Sequence, residues 1–157
     1  MYKKYFSLEE ATEKIKHFCA YQERCHLEVK QKLQSLGLSD DELNIIIVEL
    51  IEENFLNEER FAIQFVSGKF KIKHWGRNKI KYQLKLKQIS NINIVKALAT
   101  IDEDEYIKQL EKEFDNYFYK LKSAQHLQKK QKTQNHLLQK GYELSLIIEI
   151  FKTKGIK

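Results

Sequence analysis

An all-α fold, built as three tandem three-helix repeats stacked into an elongated, gently curved array, is what this sequence predicts. Three observations lead there. The chain of 157 residues has no proline and only five glycines, a composition that starves strands of turns but suits long helices. Its apolar residues fall at helical spacing through most of its length. Finally, the pattern returns about every 50 residues. Leu33, Leu84 and Leu137 each stand four residues before a helix-ending position, Gly37, Gln88 and Gly141, and an apolar residue follows each time, Leu38, Ile89 or Tyr142. Gly37 and Gly141 suit a left-handed cap, where a β-carbon would clash. Gln88 breaks that rule, so strain or a different cap is expected there.

In the first repeat, residues 1–56, Ser7 followed by Glu10 makes a capping box that opens one helix, and Ser39 with Glu42 opens another. Between them, Val29, Leu33 and Leu36 mark a helix over residues 23–36. The third helix carries Leu43, Ile46, Ile47 and Leu50. In the second repeat, 57–101, Asn57 caps a helix from Glu58 with an apolar face of Phe61, Phe65 and Ile72. The His74-Trp75-Gly76 turn leads into a helix presenting Ile80 and Leu84, and a third helix shows Ile92, Val95 and Leu98. The third repeat, 102–157, opens with a longer helix bearing Tyr106, Leu110, Phe114, Tyr117 and Leu121. It ends on a patch of Leu146, Ile147, Ile150 and Phe151.

Charge divides along the same lines. Residues 1–60 hold 8 Lys/Arg against 13 Asp/Glu (net −5), residues 61–101 hold 9 against none (+9), and residues 102–157 hold 11 against 9 (+2), which sums to the chain's +6. A 41-residue stretch without a carboxylate reads as a positive surface that meets something anionic. Eight of its nine cations, Lys69, Lys71, Lys73, Arg77, Lys79, Lys81, Lys85 and Lys87, form a basic tract, with Lys96 beyond it, and Arg77, Lys81 and Lys85 share one helix face. A second acid-free stretch, residues 116–142, holds Lys120, Lys122, Lys129, Lys130, Lys132 and Lys140 with His126 and His136, and reads as an ordinary long helix face.

Two cysteines, Cys19 and Cys25, are too few for a disulfide framework and suit a reducing, cytoplasmic setting. The opening MYKKYFSLEE lacks a signal peptide's apolar core, and no run approaches the ~18 apolar residues of a membrane span. His17, Cys19, Cys25 and His26 cluster in sequence, but H-x-C-x5-C-H fits no established zinc spacing, so no metal is expected. No glycine-rich phosphate loop, nucleophile triad or paired-carboxylate pattern stands out. The chain reads as a non-enzyme without catalytic residues or cofactors. Without strict heptads carrying paired e and g charges, it is expected to be a monomer.

Two segments carry a family signature. Phe55-Leu56-Asn57-Glu58-Glu59-Arg60-Phe61-Ala62 resembles the (Y/F)-L-(D/N)-x-x-R-F-A joint of the RecX family. Trp75-Gly76-Arg77-Asn78-Lys79-Ile80, with Leu84, resembles the W-G-x-x-(K/R)-I-x-x-x-L stretch that follows it there. Arg24, Leu33 and Gly37 match a third family pattern in part, with Cys25 and Val29 departing from it, and Lys87-Gln88-Ile89 replaces the usual Lys-Gly-Ile. The resemblance implies a regulator that binds the RecA–DNA filament, touches DNA directly and weakly, and restrains recombination in DNA repair. Arg60, Phe61, Trp75, Gly76, Ile80 and Leu84 are the motif positions, read as structural, with two alternatives open. Arg60 pairs with Glu49 or Glu53, or else meets a partner. Trp75 plugs a hollow between helices, or else stacks on a base. A second function class, binding to nucleic acid alone, uses the same basic tract.

Overall fold

In the computed structural model, which describes residues 6–122 and 125–157, every regular element among the described residues is an α-helix. Residues 1–5, with the basic pair Lys3 and Lys4, lie outside that set. The helices are α1 (Leu8–Tyr21), α2 (His26–Ser35), α3 (Asp40–Glu52), α4 (Glu58–Lys71), α5 (Arg77–Leu86), α6 (Asn91–Leu98), α7 (Glu103–Phe118), α8 (His126–Lys140) and α9 (Leu144–Thr153). None is long and apolar enough to cross a membrane.

The caps follow from local chemistry. Ser39 and Glu42 form the reciprocal capping box, each satisfying the other's backbone N–H, at the start of α3. At α1 only half of that arrangement forms: Ser7 Oγ accepts from the Glu10 N–H. Asn57 Oδ1 accepts from the Arg60 N–H at 2.9 Å to open α4, and Asp102 Oδ2 does the same for Glu105 at 3.0 Å before α7.

Each helix that carries the repeated leucine ends in the same hydrogen-bonded corner. The N–H of Leu38, Ile89 and Tyr142 donates back to the carbonyl of Leu33, Leu84 and Leu137, at 3.5, 3.1 and 3.1 Å. The N–H of Gly37, Gln88 and Gly141 closes the inner bond to Gln34, Lys85 and Leu138, at 3.0 Å each time. This is the Schellman motif, which requires a left-handed residue at its apex. Gly37 (φ 86°), Gly141 (φ 101°) and Gln88 (φ 61°) all adopt that conformation. The expected exception at Gln88 is therefore strain, not a different cap: a side chain occupies a position that favours glycine. The three leucines are fully buried.

Contact density groups the chain into two compact units, Met1–Gln64 with Leu84–Ile94, and Phe65–Gln83 with Val95–Lys157. The first packs Ala11, Ile15, Val29, Leu33, Leu43, Ile46 and Leu50 into one apolar core. The second is rich in rings. Phe70 stacks on Tyr106 at 5.7 Å, Tyr106 lies 5.4 Å from Tyr142, and Phe114 meets Phe151 edge-on at 5.1 Å.

Some expected faces are shifted. In α6 the buried residues are Ile94 and Ala97, while Ile92 and Val95 are exposed. The corner sets this register: the third helix of each repeat buries the tenth and thirteenth residues after the leucine, Leu43 and Ile46, Ile94 and Ala97, or Ile147 and Ile150. Ile72 is exposed because α4 has ended at Lys71, and Val66 and Phe70 bury in its place. Likewise α7 stops before Leu121, and Phe118 completes its buried face.

Relieving the left-handed glutamine should stabilise the fold. Gln88→Gly is expected to raise the unfolding free energy by about 1 kcal/mol, the cost of a left-handed non-glycine residue. Urea denaturation checks it, and a loss of stability would contradict the strained corner.

Candidate partner-binding surface

The basic tract is organised by the junction between α4 and α5. After α4 the chain turns through His74, another left-handed residue (φ 58°), and the Trp75 N–H donates to the Lys69 carbonyl at 3.1 Å. The first N–H groups of α5 have no partners within their own helix. Here they find the other end of a helix. The Gly76 and Asn78 N–H groups donate to the carbonyls of Lys140 and Gly141, at 2.8 and 2.9 Å, where α8 terminates. The Arg77 N–H donates to the Tyr106 hydroxyl at 3.0 Å. A positive helix end thus sits on a negative one. The approach leaves no room for a side chain: a β-carbon on Gly76 would stand 2.3 Å from the Gly141 carbonyl carbon.

Arg77 belongs to this junction rather than to the exposed face on which its spacing with Lys81 and Lys85 placed it. Its Nε donates to Glu143 Oε1 and its Nη1 to Glu103 Oε2, both at 2.8 Å. The guanidinium also lies 3.9 Å from the Tyr106 ring centroid. Burial opposes its charge, but the two carboxylates outweigh burial and hold its pKa above the ordinary value. Tyr106 completes the set by donating to Glu143 Oε2 at 2.9 Å, and burial pushes its phenol pKa up. The acids that neutralise Arg77 come from α7 and from the residue before α9, which spacing within the tract cannot reveal.

The remaining cations separate into held and free. Lys69 and Lys79 are half-buried, their ammonium groups 5.0 and 4.5 Å from the Trp75 ring centroid. Lys69 also lies 5.3 Å from the Phe65 ring. Trp75 itself is half-buried beneath these two lysines. Lys87 pairs with Glu28 at 2.9 Å. Lys71, Lys73, Lys81 and Lys85 are exposed and have no ion pair among the described residues. Four of the eight tract cations therefore carry unpaired charge on the surface.

The joint arginine is engaged within the chain. Arg60 reaches neither Glu49 nor Glu53, which hold Lys16 at 3.4 and 2.9 Å. Instead its Nε donates to Glu23 Oε1 at 2.6 Å, and its Nη atoms donate to Asn54 Oδ1 and to the Asn54 carbonyl, at 3.2 and 3.0 Å. Asn54 is left-handed (φ 62°), so Arg60 clamps the corner after α3. Phe61, Gly76, Ile80 and Leu84 are buried.

In the second acid-free stretch, several groups pack rather than project. Lys129 lies 4.3 Å from the Phe118 ring centroid and Lys130 5.4 Å from that of Phe151, and Lys140 meets Glu113 at 3.6 Å. His136 stacks on Tyr117 at 4.0 Å, and burial lowers its pKa. Cys19 and Cys25 are buried free thiols whose pKa burial raises. Among the described residues, no group of three or more His, Cys, Asp or Glu is placed to hold a metal.

Comparison with known proteins places this arrangement. The family described as RecX, second three-helix domain, matches residues 57–98, which take in both signature segments except Phe55 and Leu56. A regulatory protein RecX from Clostridium perfringens is 35% identical over 120 residues, 74% of this chain and 55% of the relative. One from Halalkalibacterium halodurans is 28% identical over 141 residues, 90% of this chain and 53% of the relative. The chain thus spans about half the length of these curated relatives. The crystal structure of RecX from Lactobacillus salivarius superposes with a TM-score of 0.84 at 23% identity, covering 93% of this chain and 95% of that one, and so shares the fold.

The helix-end junction makes a direct prediction. Gly76→Ala is expected to cost about 3 kcal/mol, the upper end for forcing a methyl into packed structure, because its neighbour is backbone. Denaturant unfolding measures it. An unchanged midpoint would contradict the close approach.

Proposed function

Because the chain belongs to the RecX family, we propose that it binds the RecA–DNA nucleoprotein filament and restrains recombinase activity as a non-enzymatic regulator of DNA repair and recombination. The observation that carries this reading is the unpaired charge of Lys71, Lys73, Lys81 and Lys85 in a 41-residue stretch without a carboxylate. Such cations gain by displacing counterions from a polyphosphate. Lys69, Lys79 and Lys87 are further proposed contacts of the same tract, though each is engaged within the chain. Arg77 supports it from beneath by fixing the start of α5. The division into modules 1–56, 57–101 and 102–157 is part of the proposal, with the middle module carrying the contact. No metal or cofactor enters it, and the action is assigned to the cytoplasm.

A second reading, binding to single-stranded DNA without recombinase, draws on Trp75. An indole flanked by two ammonium groups is the kind of platform on which bases stack. Under the leading reading such DNA contact is direct but weak, and the filament supplies the rest.

The test is co-sedimentation with RecA filaments on single-stranded DNA, with DNA alone as the second arm. The wild-type chain should pellet with filaments far more than with DNA. Replacing Lys71, Lys73, Lys81 and Lys85 with glutamate should abolish filament binding and leave the melting temperature close to wild type, since all four are exposed. The same reversal at Lys108, Lys112, Lys120 and Lys132, also exposed, should do far less. Equal losses would mean that net charge alone matters, and equal pelleting with bare DNA would favour the second reading.

A further inference from the structure

The threefold repeat supplies an internal control for surface residues, since a fold-required side chain should recur at equivalent positions. Two exposed apolar patches fail to recur. On α3, Ile45, Val48 and Ile51 form a stripe at three-residue spacing and are 46–58% exposed. Counted from the repeated leucine, the equivalents of Ile45 are Lys96 and Glu149, and those of Val48 are Ala99, just past α6, and Lys152, while the positions matching Ile51 fall beyond the ends of α6 and α9. All four are exposed and charged or small. On α5, Tyr82 and Leu86 stand four residues apart and are 60% and 55% exposed. Their equivalents are Gln31 and Ser35, and Asn135 and Gln139, all polar and exposed. The scaffold tolerates polar residues at the helical positions equivalent to Ile45, Val48, Tyr82 and Leu86, so folding does not account for either patch.

The two patches are opposite in charge. Helix α3 carries Asp40, Asp41, Glu42, Glu49 and Glu52 with no base, and Asp41 and Glu52 are exposed without an ion pair among the described residues. Helix α5 carries Arg77, Lys79, Lys81 and Lys85 with no acid, and Lys81 and Lys85 flank Tyr82 and Leu86. The spacings also match. A ridge of residues three apart fits the groove beside a row four apart, in the packing class that crosses helices at about 20°. At so shallow a crossing the lysines of one helix run alongside the acids of the other.

We propose that α3 of one copy of this chain docks on α5 of a second copy, a contact between two different faces. Pairing α3 with α3 would set acid against acid, and pairing α5 with α5 would set lysine against lysine. Few side chains take part, so the association belongs to the weak, transient class of interfaces. It leaves single copies in dilute solution, as expected from the absence of heptads, and pairs them as concentration rises. A contact of unlike faces need not close on itself, so copies can add head to tail.

Sedimentation velocity on the full chain, without DNA or recombinase, from about 1 to 500 µM tests this. The weight-average sedimentation coefficient should rise with concentration and fall back in ~1 M salt, where exposed charges are screened. Val48→Lys, which spoils only the α3 face, and Tyr82→Glu, which spoils only the α5 face, should each remain monomeric. Mixed together they should associate again, because each retains the face the other lacks, and growth should stop at two chains. Circular dichroism should match wild type for both, and Val48→Ser with Tyr82→Ser provides a milder pair. A wild-type chain that is monomeric throughout, as would occur if a basic helix of another protein were the occupant, overturns the proposal. So does association that survives either single variant, or a mixture that stays monomeric.

Discussion

A left-handed residue four positions after a buried leucine turns this chain, and the rest of the fold is arranged around that corner. The corner joins a helix end to the next helix through two backbone hydrogen bonds, and it buries the apolar residue that follows. Direction and register of the following helix are thereby set, which is why the tenth and thirteenth residues after each leucine face inward. With five glycines in 157 residues, the chain cannot place glycine at every such turn. Asn54, His74 and Gln88 serve instead, and the first two of these corners are held from outside. Arg60 clamps Asn54, while the Tyr142 hydroxyl donates to the His74 carbonyl at 2.8 Å. At Gln88 the corner's own backbone hydrogen bonds are the ones seen among the described residues.

The meeting of α5 and α8 links this backbone geometry to surface charge. Two glycines let a helix start rest on a helix end, and Arg77 locks the contact through carboxylates drawn from two other segments. The arrangement spends one cation on structure, Glu28 engages another, and Trp75 lies beneath two more. Four exposed lysines remain without ion pairs among the described residues. A surface of this kind is positive because its own stretch of chain lacks acid, not because it is unusually rich in lysine. That distinction favours a partner with closely spaced negative charge over a single acidic group.

Much of the fold was legible because its signals are local. The leucine-to-corner interval, the Ser39 capping box and the Asn57 cap each involve residues within a few positions of one another, and each appears in the structure. The site was legible only in composition. Charge counts found the basic tract, but whether a given lysine or arginine is free depends on partners far away in sequence: Glu143 for Arg77, Glu28 for Lys87, Glu23 for Arg60. Helical spacing grouped Arg77 with Lys81 and Lys85 because spacing sees one helix at a time. The face of α6 was misread for a similar reason, since Ile92 and Val95 satisfy helical periodicity as well as Ile94 and Ala97, and only the preceding corner chooses between them. The partners of Arg60 were misassigned because Glu49 and Glu53 are near in sequence but are occupied by Lys16.

The central claim is that unpaired lysines of residues 61–101 meet phosphate in the filament, and the salt dependence of filament binding tests it most directly. If phosphates are neutralised, the logarithm of the association constant falls linearly with the logarithm of salt concentration, by about 0.7 per single-strand phosphate contacted. Neutralising Lys71, Lys73, Lys81 and Lys85 to glutamine should flatten that slope by an amount that counts the lost contacts. A wild-type slope near zero, or one that the four glutamines leave unchanged, would contradict the account.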